Sequence, residues 1–368
     1  MPNRFLLAGL KAIFRPMAVF HRSAPSWNPR SIRSILIVNT TAMGDTLLST
    51  PAIRAIRGTF PKAKMTALVS RAAKEVLLHN PHIDRMIEQP GRVDLPFLFH
   101  LPKLLKTIRD EKCDLAVILD GNDPEAVPLS YLSGARYRVG WAGSQLGFLL
   151  THPVDFNRSN QHHIEVWHEH LSALGIKPQG IEMELTLSSE EKEGAERTLA
   201  ARDLLGRPRV GLHPFAKKLS GKEWPFDRVI ELANRLSGQG FQPILFGGKQ
   251  EKKVADEMVL KANKRLISFA GDHSIRETMA LIARCDLFVS LDSGPMHISQ
   301  ALGVPTVALF GPSDPRVSGP LMTSAVVLKK EFSCSPCGRA PCPHQVACMH
   351  AIEVREVIEA AESLRPVL

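Results

Sequence analysis

The chain has 368 residues, of which 44% are hydrophobic and 23% are charged, close to the averages of folded globular proteins. This composition excludes a disordered or fibrous chain. No apolar run approaches the roughly 18 residues that a membrane-spanning helix needs, which excludes an integral membrane protein. The formal charge of +9 indicates a polyanionic partner: a nucleotide, a phosphorylated glycan, an anionic lipid or a nucleic acid.

Cysteine usage and the N-terminus predict a cytoplasmic protein. Of six cysteines, four lie within Cys334–Cys348, which is not the pattern of a secreted disulfide scaffold. Lys11 interrupts the first apolar stretch, so we expect no secretory signal.

Residues 1–30 are expected to form a basic leader. If residues 4–22 were helical, four cations would form a stripe opposite an apolar face, as suits an anionic bilayer, although Pro16 would break or kink the helix. A disordered leader is the alternative. The stripe is Arg4, Lys11, Arg15 and Arg22, and the apolar face includes Phe5, Leu6, Ile13 and Phe14.

The rest of the chain alternates short apolar runs with amphipathic stretches, which predicts an α/β fold with parallel sheets covered on both faces. The predicted strands are Ile35–Asn39, Met65–Ser70, Leu115–Asp120, Arg209–His213, Gln242–Phe246, Leu287–Asp292 and Thr306–Phe310. The predicted helices are Thr46–Phe60, Ala72–His79, Leu95–Asp110, Glu190–Arg202, Phe226–Ser237, Glu251–Ala262, Ile275–Arg284 and Met296–Leu302.

The alternation stops and restarts around Lys177–Ser188, whose proline, glycine and polar residues predict a linker. We therefore expect an N-terminal Rossmann-like domain over 31–185, a second one over 186–350 and a C-terminal helix over 351–368.

Ligands of open α/β sheets bind beyond the carboxyl ends of the strands, so four strand-to-helix loops are candidate sites. In the first, small residues allow close ligand approach, Pro51 and Thr46 fit a first helical turn, and Asp45 could either cap the helix or face a ligand. This loop contains Thr40, Thr41, Gly44 and Asp45.

Two loops of the second half could bind a nucleotide. His213–Pro225 contains Lys217, Lys218 and Lys222 before a helix, which is typical of a diphosphate site but also of a solvated charge run. In Phe246–Glu251, the carboxylate of Glu251 could accept hydrogen bonds from a ribose diol or cap a helix.

The fourth loop is the most informative. Asp292 ends a buried strand, Ser293 and Gly294 offer N–H groups at a helix start, and His297 lies in its first turn. This arrangement suits a phosphate beside sugar hydroxyls, and a purely structural turn is the alternative. No GxGxxG, GxxxxGK[ST], HExxH or GxSxG motif accompanies these loops, and the low aromatic content argues against nucleic acid as a partner.

Taken in order, the loops resemble the ADP-heptose:lipopolysaccharide heptosyltransferases, glycosyltransferase family nine. The matching segments are ILIVNTTAMGDTLLSTPAIRAI, VGLHPFAKKLSGKEWPFDRVIELANRL, ILFGGKQE and LFVSLDSGPMHISQALGVPTVALFGPSDP. The resemblance implies a GT-B fold, with two Rossmann-like domains facing across a cleft, and inverting, metal-independent transfer of heptose from ADP-heptose to the inner core of lipopolysaccharide.

The resemblance also implies roles for single residues. Asp45 would be the general base, Lys222 a donor-phosphate ligand and Glu251 the ribose ligand, while Thr40, Thr41 and Gly44 belong to the loop of the base. The remaining implied substrate-binding residues are Asp292, Ser293, Gly294 and His297. We expect no cofactor and no catalytic metal, a lipid acceptor, and a peripheral location on the inner face of the inner membrane.

Three questions stay open at this point. Another GT-B enzyme using a different nucleotide sugar or acceptor, or a catalytically silent sugar-nucleotide-binding protein, would share most of these motifs. Cysteines at CxxC-x4-C-x5-C spacing could hold a structural zinc or remain reduced thiols. These are Cys334, Cys337, Cys342 and Cys348.

Overall fold

A computed structural model gives the structure of this protein. It describes residues 9, 11–16, 25–91, 95–119, 124–155, 161–216, 221–262, 265–337 and 342–364. The chain divides into two compact units, Met1–Met183 and Glu184–Leu368, so the division falls inside the predicted linker. In the described part of the chain, no helix is long and apolar enough to cross a membrane.

The first unit is a six-stranded parallel sheet in the order β3-β2-β1-β4-β5-β6. Its strands are β1 (Ser34–Asn39), β2 (Lys64–Val69), β3 (Arg85–Glu88), β4 (Leu115–Ile118), β5 (Tyr137–Trp141) and β6 (His152–Val154). Its helices are α1 (Met43–Thr59), α2 (Arg71–Leu77), α3 (Leu95–Asp110), α4 (Ala126–Leu132) and α5 (His163–Ser172).

The sheet of the first unit is buried on both faces. Along β1, Ile35 and Ile37 enter one apolar cluster, whereas Leu36 and Val38 enter another on the opposite face. The first cluster includes side chains of α1 and α5, and the second includes side chains of α3 and α4. A strand covered on both sides is apolar along most of its length, which explains the continuous run Ile35–Val38 that made β1 recognisable.

Pro51 is not in a first turn, as the sequence suggested, but at the ninth position of α1. A proline there cannot donate to the carbonyl oxygen of Leu47, four residues earlier. The hydroxyl of Thr50 donates to that oxygen instead, at 2.7 Å. Thr50 thus replaces the missing backbone donor, and α1 continues to Thr59.

Part of the predicted leader belongs to the first unit. Residues 11–16 are helical, and Phe14, only 6% exposed, lies in the α3–α4 cluster with its ring edge-on to Tyr131 at 6.0 Å. The Nζ of Lys11 donates to Oε1 of Gln145 at 3.0 Å. Phe14 therefore cannot lie on a membrane-facing surface, as the helical interpretation assumed. Arg4 and Arg22, also part of that stripe, lie outside the described residues.

The second unit repeats the architecture with a parallel sheet in the order β12-β11-β10-β7-β8-β9. Its strands are β7 (Arg209–His213), β8 (Gln242–Leu245), β9 (Ile267–Ser268), β10 (Leu287–Leu291), β11 (Thr306–Phe310) and β12 (Ala325–Lys329). Its helices are α6 (Ser189–Ala201), α7 (Phe226–Gly238), α8 (Lys252–Lys261), α9 (Ile275–Ile282), α10 (Gly294–Ala301), α11 (Pro315–Ser318), α12 (Ala347–His350) and α13 (Val354–Ser363). Helix α13 packs into the main core of this unit.

The segment that enters the second unit is fastened to it. Ser188 and Glu191 form a capping box at the start of α6. The guanidinium of Arg276, on α9, donates to both oxygens of Glu191 at 2.6 Å and to the carbonyl of Thr186 at 2.7 Å. Arg276 is 7% exposed, so these bonds compensate a charge that is largely removed from water. The chain is therefore held from Thr186 onward.

The packing of Phe14 predicts a stability effect. Phe14→Ala removes a buried ring and should lower the free energy of unfolding of the first unit by about 3 kcal/mol. Ile13→Ala, at a neighbouring position that is 62% exposed, should change it by less than about 0.5 kcal/mol. Urea denaturation of the full chain measures both variants, and equal effects would show that residues 11–16 do not pack on the unit.

Candidate active site

The loop after β1 is organised by a residue that the sequence interpretation passed over. Asn39 is fully buried, and its Nδ2 donates to Oγ of Ser49 at 2.7 Å. Its Oδ1 accepts the hydroxyls of Thr41, at 2.9 Å, and Thr46, at 3.1 Å. These bonds fix the turn between β1 and α1. A polar residue that closes an otherwise apolar strand was the signal in the sequence.

Asp45 lies at the third position of α1, and it is exposed. The cap position is taken by Ala42, which makes no side-chain capping bond, so Asp45 is not the N-cap that the sequence allowed. A carboxylate in a first helical turn is nevertheless stabilised by the positive end of the helix dipole. Thr40 and Gly44 are buried beside it, and the carbonyl of Thr41 accepts the Ser70 hydroxyl at 2.8 Å. The four predicted residues of this loop therefore share one end of α1.

In the second unit, Lys222 and Asp292 form an ion pair. The ammonium of Lys222 donates to Oδ2 of Asp292 at 2.5 Å and to the backbone carbonyl of Asp292 at 3.2 Å. The Asp292 side chain is 9% exposed and that of Lys222 is 31% exposed. The structure therefore joins two predicted site residues that are 70 positions apart in sequence. Lys217 and Lys218, from the same loop, lie outside the described residues.

Lys222 is held from its C-terminal side by the Trp-Pro pair. Trp224 is 2% exposed, and its indole N–H donates to the carbonyl of Ile352 at 3.1 Å. Gly221 has a φ of +73°, a conformation that glycine adopts without strain, so the backbone turns sharply just before Lys222. The Trp224 bond thus anchors the loop on the C-terminal side of Lys222.

Ser293 caps α10 by position, although its side chain makes no capping bond. Its hydroxyl lies 3.3 Å from Nδ1 of His213 and 3.2 Å from the hydroxyl of Ser290. The Ser293 side chain therefore does not bind the first N–H groups of α10. These groups, from Gly294 onward, lie at the positive end of the helix dipole, which favours an anion. His297 is the fourth residue of α10 and is 6% exposed.

His213, which ends β7, is a second site residue without a role in the sequence interpretation. Burial lowers the pKa of His213 to about 4, so its ring is neutral at physiological pH. A neutral Nδ1 without a proton can accept a hydrogen bond from the Ser293 hydroxyl. His213 therefore adds no positive charge here.

Glu251 closes the loop after β8. Its Oε2 accepts the N–H of Gly248 at 2.8 Å, and Glu251 occupies the cap position of α8 without a side-chain capping bond. A Cβ on Gly247 would lie 3.0 Å from the Phe215 ring, which explains the glycine at that position. The order β10-β7-β8 brings the ends of these three strands together. Asp292, Ser293, His213 and the Glu251 loop therefore lie at one edge of the second sheet.

The four cysteines of the C-terminal segment lie close together. The four thiols, together with His344, line one small cavity near Pro312. Across the described ranges, including all four cysteines, no group of three His, Cys, Asp or Glu side chains could hold a metal ion. Burial raises the pKa of Cys348, which favours a protonated thiol. The four cysteines are free thiols in this structure, and the zinc alternative stays a hypothesis.

The geometry can be compared with known proteins. Residues 101–347 match the model of glycosyltransferase family 9 (heptosyltransferase). The chain is 26% identical over 313 residues to lipooligosaccharide heptosyltransferase 2 of Haemophilus influenzae, covering 80% of this chain and 88% of that protein. It belongs to glycosyltransferase family 9, and its class is therefore that of a glycosyltransferase.

Solved structures show the same fold. A family 9 glycosyltransferase of Veillonella parvula matches with a TM-score of 0.79 and 23% identity, covering 92% of this chain and 99% of that one. The ADP-heptose lipopolysaccharide heptosyltransferase II of Escherichia coli matches with a TM-score of 0.74 and 24% identity, covering 90% and 98%. Each unit is thus a Rossmann-like half of a GT-B protein.

The depressed pKa of His213 predicts a pH-dependent stability. Between about pH 4 and 6.5 the unfolded histidine binds a proton that the folded one does not, so stability should fall as the pH is lowered through this window. The loss due to His213 should reach up to about 3 kcal/mol at pH 4. Urea denaturation of wild type and His213→Asn at pH 7.5 and 4.5 isolates it. An equal loss in both proteins would contradict a neutral His213 in the folded protein.

Proposed function

We propose that this chain transfers heptose from ADP-heptose to the inner core of lipopolysaccharide, with inversion and without a divalent metal. Its family supports glycosyl transfer, and the relatives named above support the donor and the acceptor class. The observation that carries the proposal is the Lys222–Asp292 pair beside the N-terminus of α10. A cation and the backbone donors of a helix N-terminus are the groups that a diphosphate would need here.

The leaving group gives Lys222 its proposed role. When the bond between heptose and ADP breaks, negative charge grows on the terminal phosphate. The Lys222 ammonium and the N–H groups at Ser293 and Gly294 would stabilise it more strongly in the transition state than in the ground state. These groups offer positive charge at the diphosphate, the role that a divalent ion plays elsewhere. Glu251 would bind the ribose, and Asp292 and His297 would lie on the sugar side.

Asp45 would act as the general base. The acceptor hydroxyl is a weak nucleophile, and a carboxylate within hydrogen-bond reach can take its proton while the hydroxyl oxygen attacks the anomeric carbon. Attack opposite the departing ADP inverts that carbon in a single step. Thr40, Thr41 and Gly44 would shape the acceptor side of the loop. The exposure of Asp45 at the end of α1 fits a base that must meet an incoming substrate.

The acceptor also defines where the enzyme would work. A lipid-linked sugar is presented at a bilayer, and we propose a peripheral location on the inner face of the cytoplasmic membrane. The net charge of +9 favours an anionic surface.

Incubation with ADP-heptose and a panel of truncated lipopolysaccharide acceptors, followed by mass spectrometry, tests the proposed function. One acceptor should gain the mass of one heptose, and ADP should compete more strongly than UDP or GDP. Preference for UDP or GDP would point to another nucleotide-sugar transferase. Nucleotide binding without turnover of any acceptor would point to a silent binding protein.

Asp45→Asn removes the proposed base and keeps the shape of the side chain. It should leave donor binding near normal and lower turnover by about 10²–10⁴-fold. Single-turnover kinetics with ADP-heptose, beside calorimetric titration with ADP, separates the two effects. Near-normal turnover would show that Asp45 is not the base and only places a negative charge at the start of α1.

Lys222→Ala should both weaken donor binding and slow transfer, because the charge that Lys222 meets grows in the transition state. Lys249→Ala is the matched control, since Lys249 is an exposed lysine in the neighbouring glycine loop. Lys217→Ala and Lys218→Ala should also have smaller effects. Steady-state kinetics of the variants checks the ranking. If Lys217→Ala impairs both kcat and KM and Lys222→Ala changes neither of them, the phosphate ligand has been assigned to the wrong lysine.

A further inference from the structure

One face of α3 carries an apolar side chain that the fold does not use. Phe99 is 81% exposed, the highest value among the exposed large hydrophobic residues of the described chain. Lys103 and Lys106 follow it at spacings of four and seven residues and are also exposed. Residues with these spacings lie on the same side of a helix. Phe99, Lys103 and Lys106 therefore form one apolar and basic face, called the α3 face below.

The core of the first unit is already complete without Phe99. Phe97, Leu104 and Ile108, on the other side of α3, are 4%, 6% and 0% exposed and lie in the cluster beneath the sheet. Exposing a phenylalanine to water gains nothing for folding, since burial of apolar surface is the favourable step. The exposed ring, beside two exposed lysines, makes this face a candidate contact surface.

The surroundings of the α3 face are basic. Between Leu95 and Asp110 the sequence carries Lys103, Lys106 and Arg109 against Asp110 as the single acidic residue. Phe14 packs in the same cluster as the buried side of α3, so residues 11–16 lie on the same side of the sheet. That segment brings Lys11, Arg15 and the exposed side chain of Ile13. No acidic residue occurs in the sequence before Asp45.

Helix α3 and the helix that carries the proposed base begin at the same edge of the first sheet. Helix α3 follows the carboxyl end of β3, and α1 follows the carboxyl end of β1 in the same parallel sheet. Phe99 is the fifth residue of α3, roughly 6 Å along the helix axis from its start. The α3 face thus begins at the same carboxyl edge of the sheet as Asp45, although α3 and α1 cover opposite faces of the sheet.

We propose that the α3 face is a membrane-contacting surface, in which Phe99 enters the interface of an anionic bilayer while Lys103 and Lys106 meet lipid phosphates. The proposal rests on the proposed function, because a lipid-linked acceptor would bring the Asp45 edge close to a bilayer. An aromatic ring flanked by lysines suits this boundary, where one end of a surface is apolar and the other meets charged headgroups. Each lysine near such a surface adds about fivefold to the partition coefficient.

Vesicle binding tests the proposal without donor or acceptor. The full chain is sedimented with vesicles of phosphatidylcholine alone and with vesicles containing 30% phosphatidylglycerol, at low and high salt. Wild type should bind the anionic vesicles, and high salt should release it. Phe99→Ser should weaken binding at least fivefold, and Lys103→Glu with Lys106→Glu at least twentyfold.

The matched control uses α8, which also carries an exposed leucine and exposed lysines. Leu260→Ser, and Lys253→Glu with Lys261→Glu, should change vesicle binding by less than twofold. Equal losses of vesicle binding in the α3 and α8 variants would show that binding depends on the net charge of the protein and not on the α3 face. Absence of binding by wild type, or wild-type binding by both α3 variants, would overturn the proposal and leave an acidic protein as the partner to seek.

Activity separates this proposal from the proposed function. On a water-soluble truncated acceptor, the α3 variants should keep the wild-type rate, whereas on acceptor embedded in anionic vesicles their rate should fall with their binding. A rate that falls equally with both acceptors would contradict a membrane role for the α3 face. If wild type transfers heptose to neither acceptor, the proposed function fails, while the vesicle experiment still decides whether the α3 face binds lipid.

Discussion

The candidate donor site depends on the ion pair between Lys222 and Asp292. A carboxylate that is 9% exposed is costly to bury unless a cation compensates it, and the ammonium 2.5 Å away does so. Two of the three N–H bonds of that ammonium are directed at Asp292, to its carboxylate and its carbonyl oxygen. The pair therefore restrains a long, flexible side chain at the N-terminus of α10, and the bond of Trp224 to Ile352 restrains the loop that carries it.

The two units contribute different chemistry to the proposed reaction. The first offers a carboxylate at a helix terminus, supported by the buried amide of Asn39. The second offers positive charge and backbone donors, supported by the neutral ring of His213. Neither set would suffice alone, because proton removal and departure of a diphosphate are separate requirements of glycosyl transfer. The bonds of Arg276 to Glu191 and Thr186 keep the start of the second unit fixed to its own core.

The sequence predicted the elements whose burial leaves a strong pattern. Apolar runs identified β1, β7, β10 and β11, since each is covered on both faces. Strand β3 (Arg-Met-Ile-Glu) and strand β5 (Tyr-Arg-Val-Gly-Trp) were missed because charges and a glycine interrupt their apolar character. Strands β6, β9 and β12 were missed as well. Strands β9 and β12 lie at the edges of their sheet, where their residues are only partly buried and the apolar pattern is weaker.

The site was predictable in its parts but not in its contacts. Strand ends pointed to Asp45, Lys222, Asp292 and Ser293, and the family resemblance gave them roles. The pairing of Lys222 with Asp292 depends on strands β7 and β10 being neighbours, which no local pattern reveals. The environments of Phe14 and His213 likewise depend on distant packing.

A double-mutant cycle on ADP binding tests the central claim most directly. Calorimetry gives the dissociation constants of ADP for wild type, Lys222→Met, Asp292→Asn and the double variant. If Asp292 holds Lys222 at a diphosphate site, the effect of Asp292→Asn should differ by at least about fivefold between the wild-type and Lys222→Met backgrounds. Additive effects, or ADP affinity that none of the substitutions changes, would contradict the account.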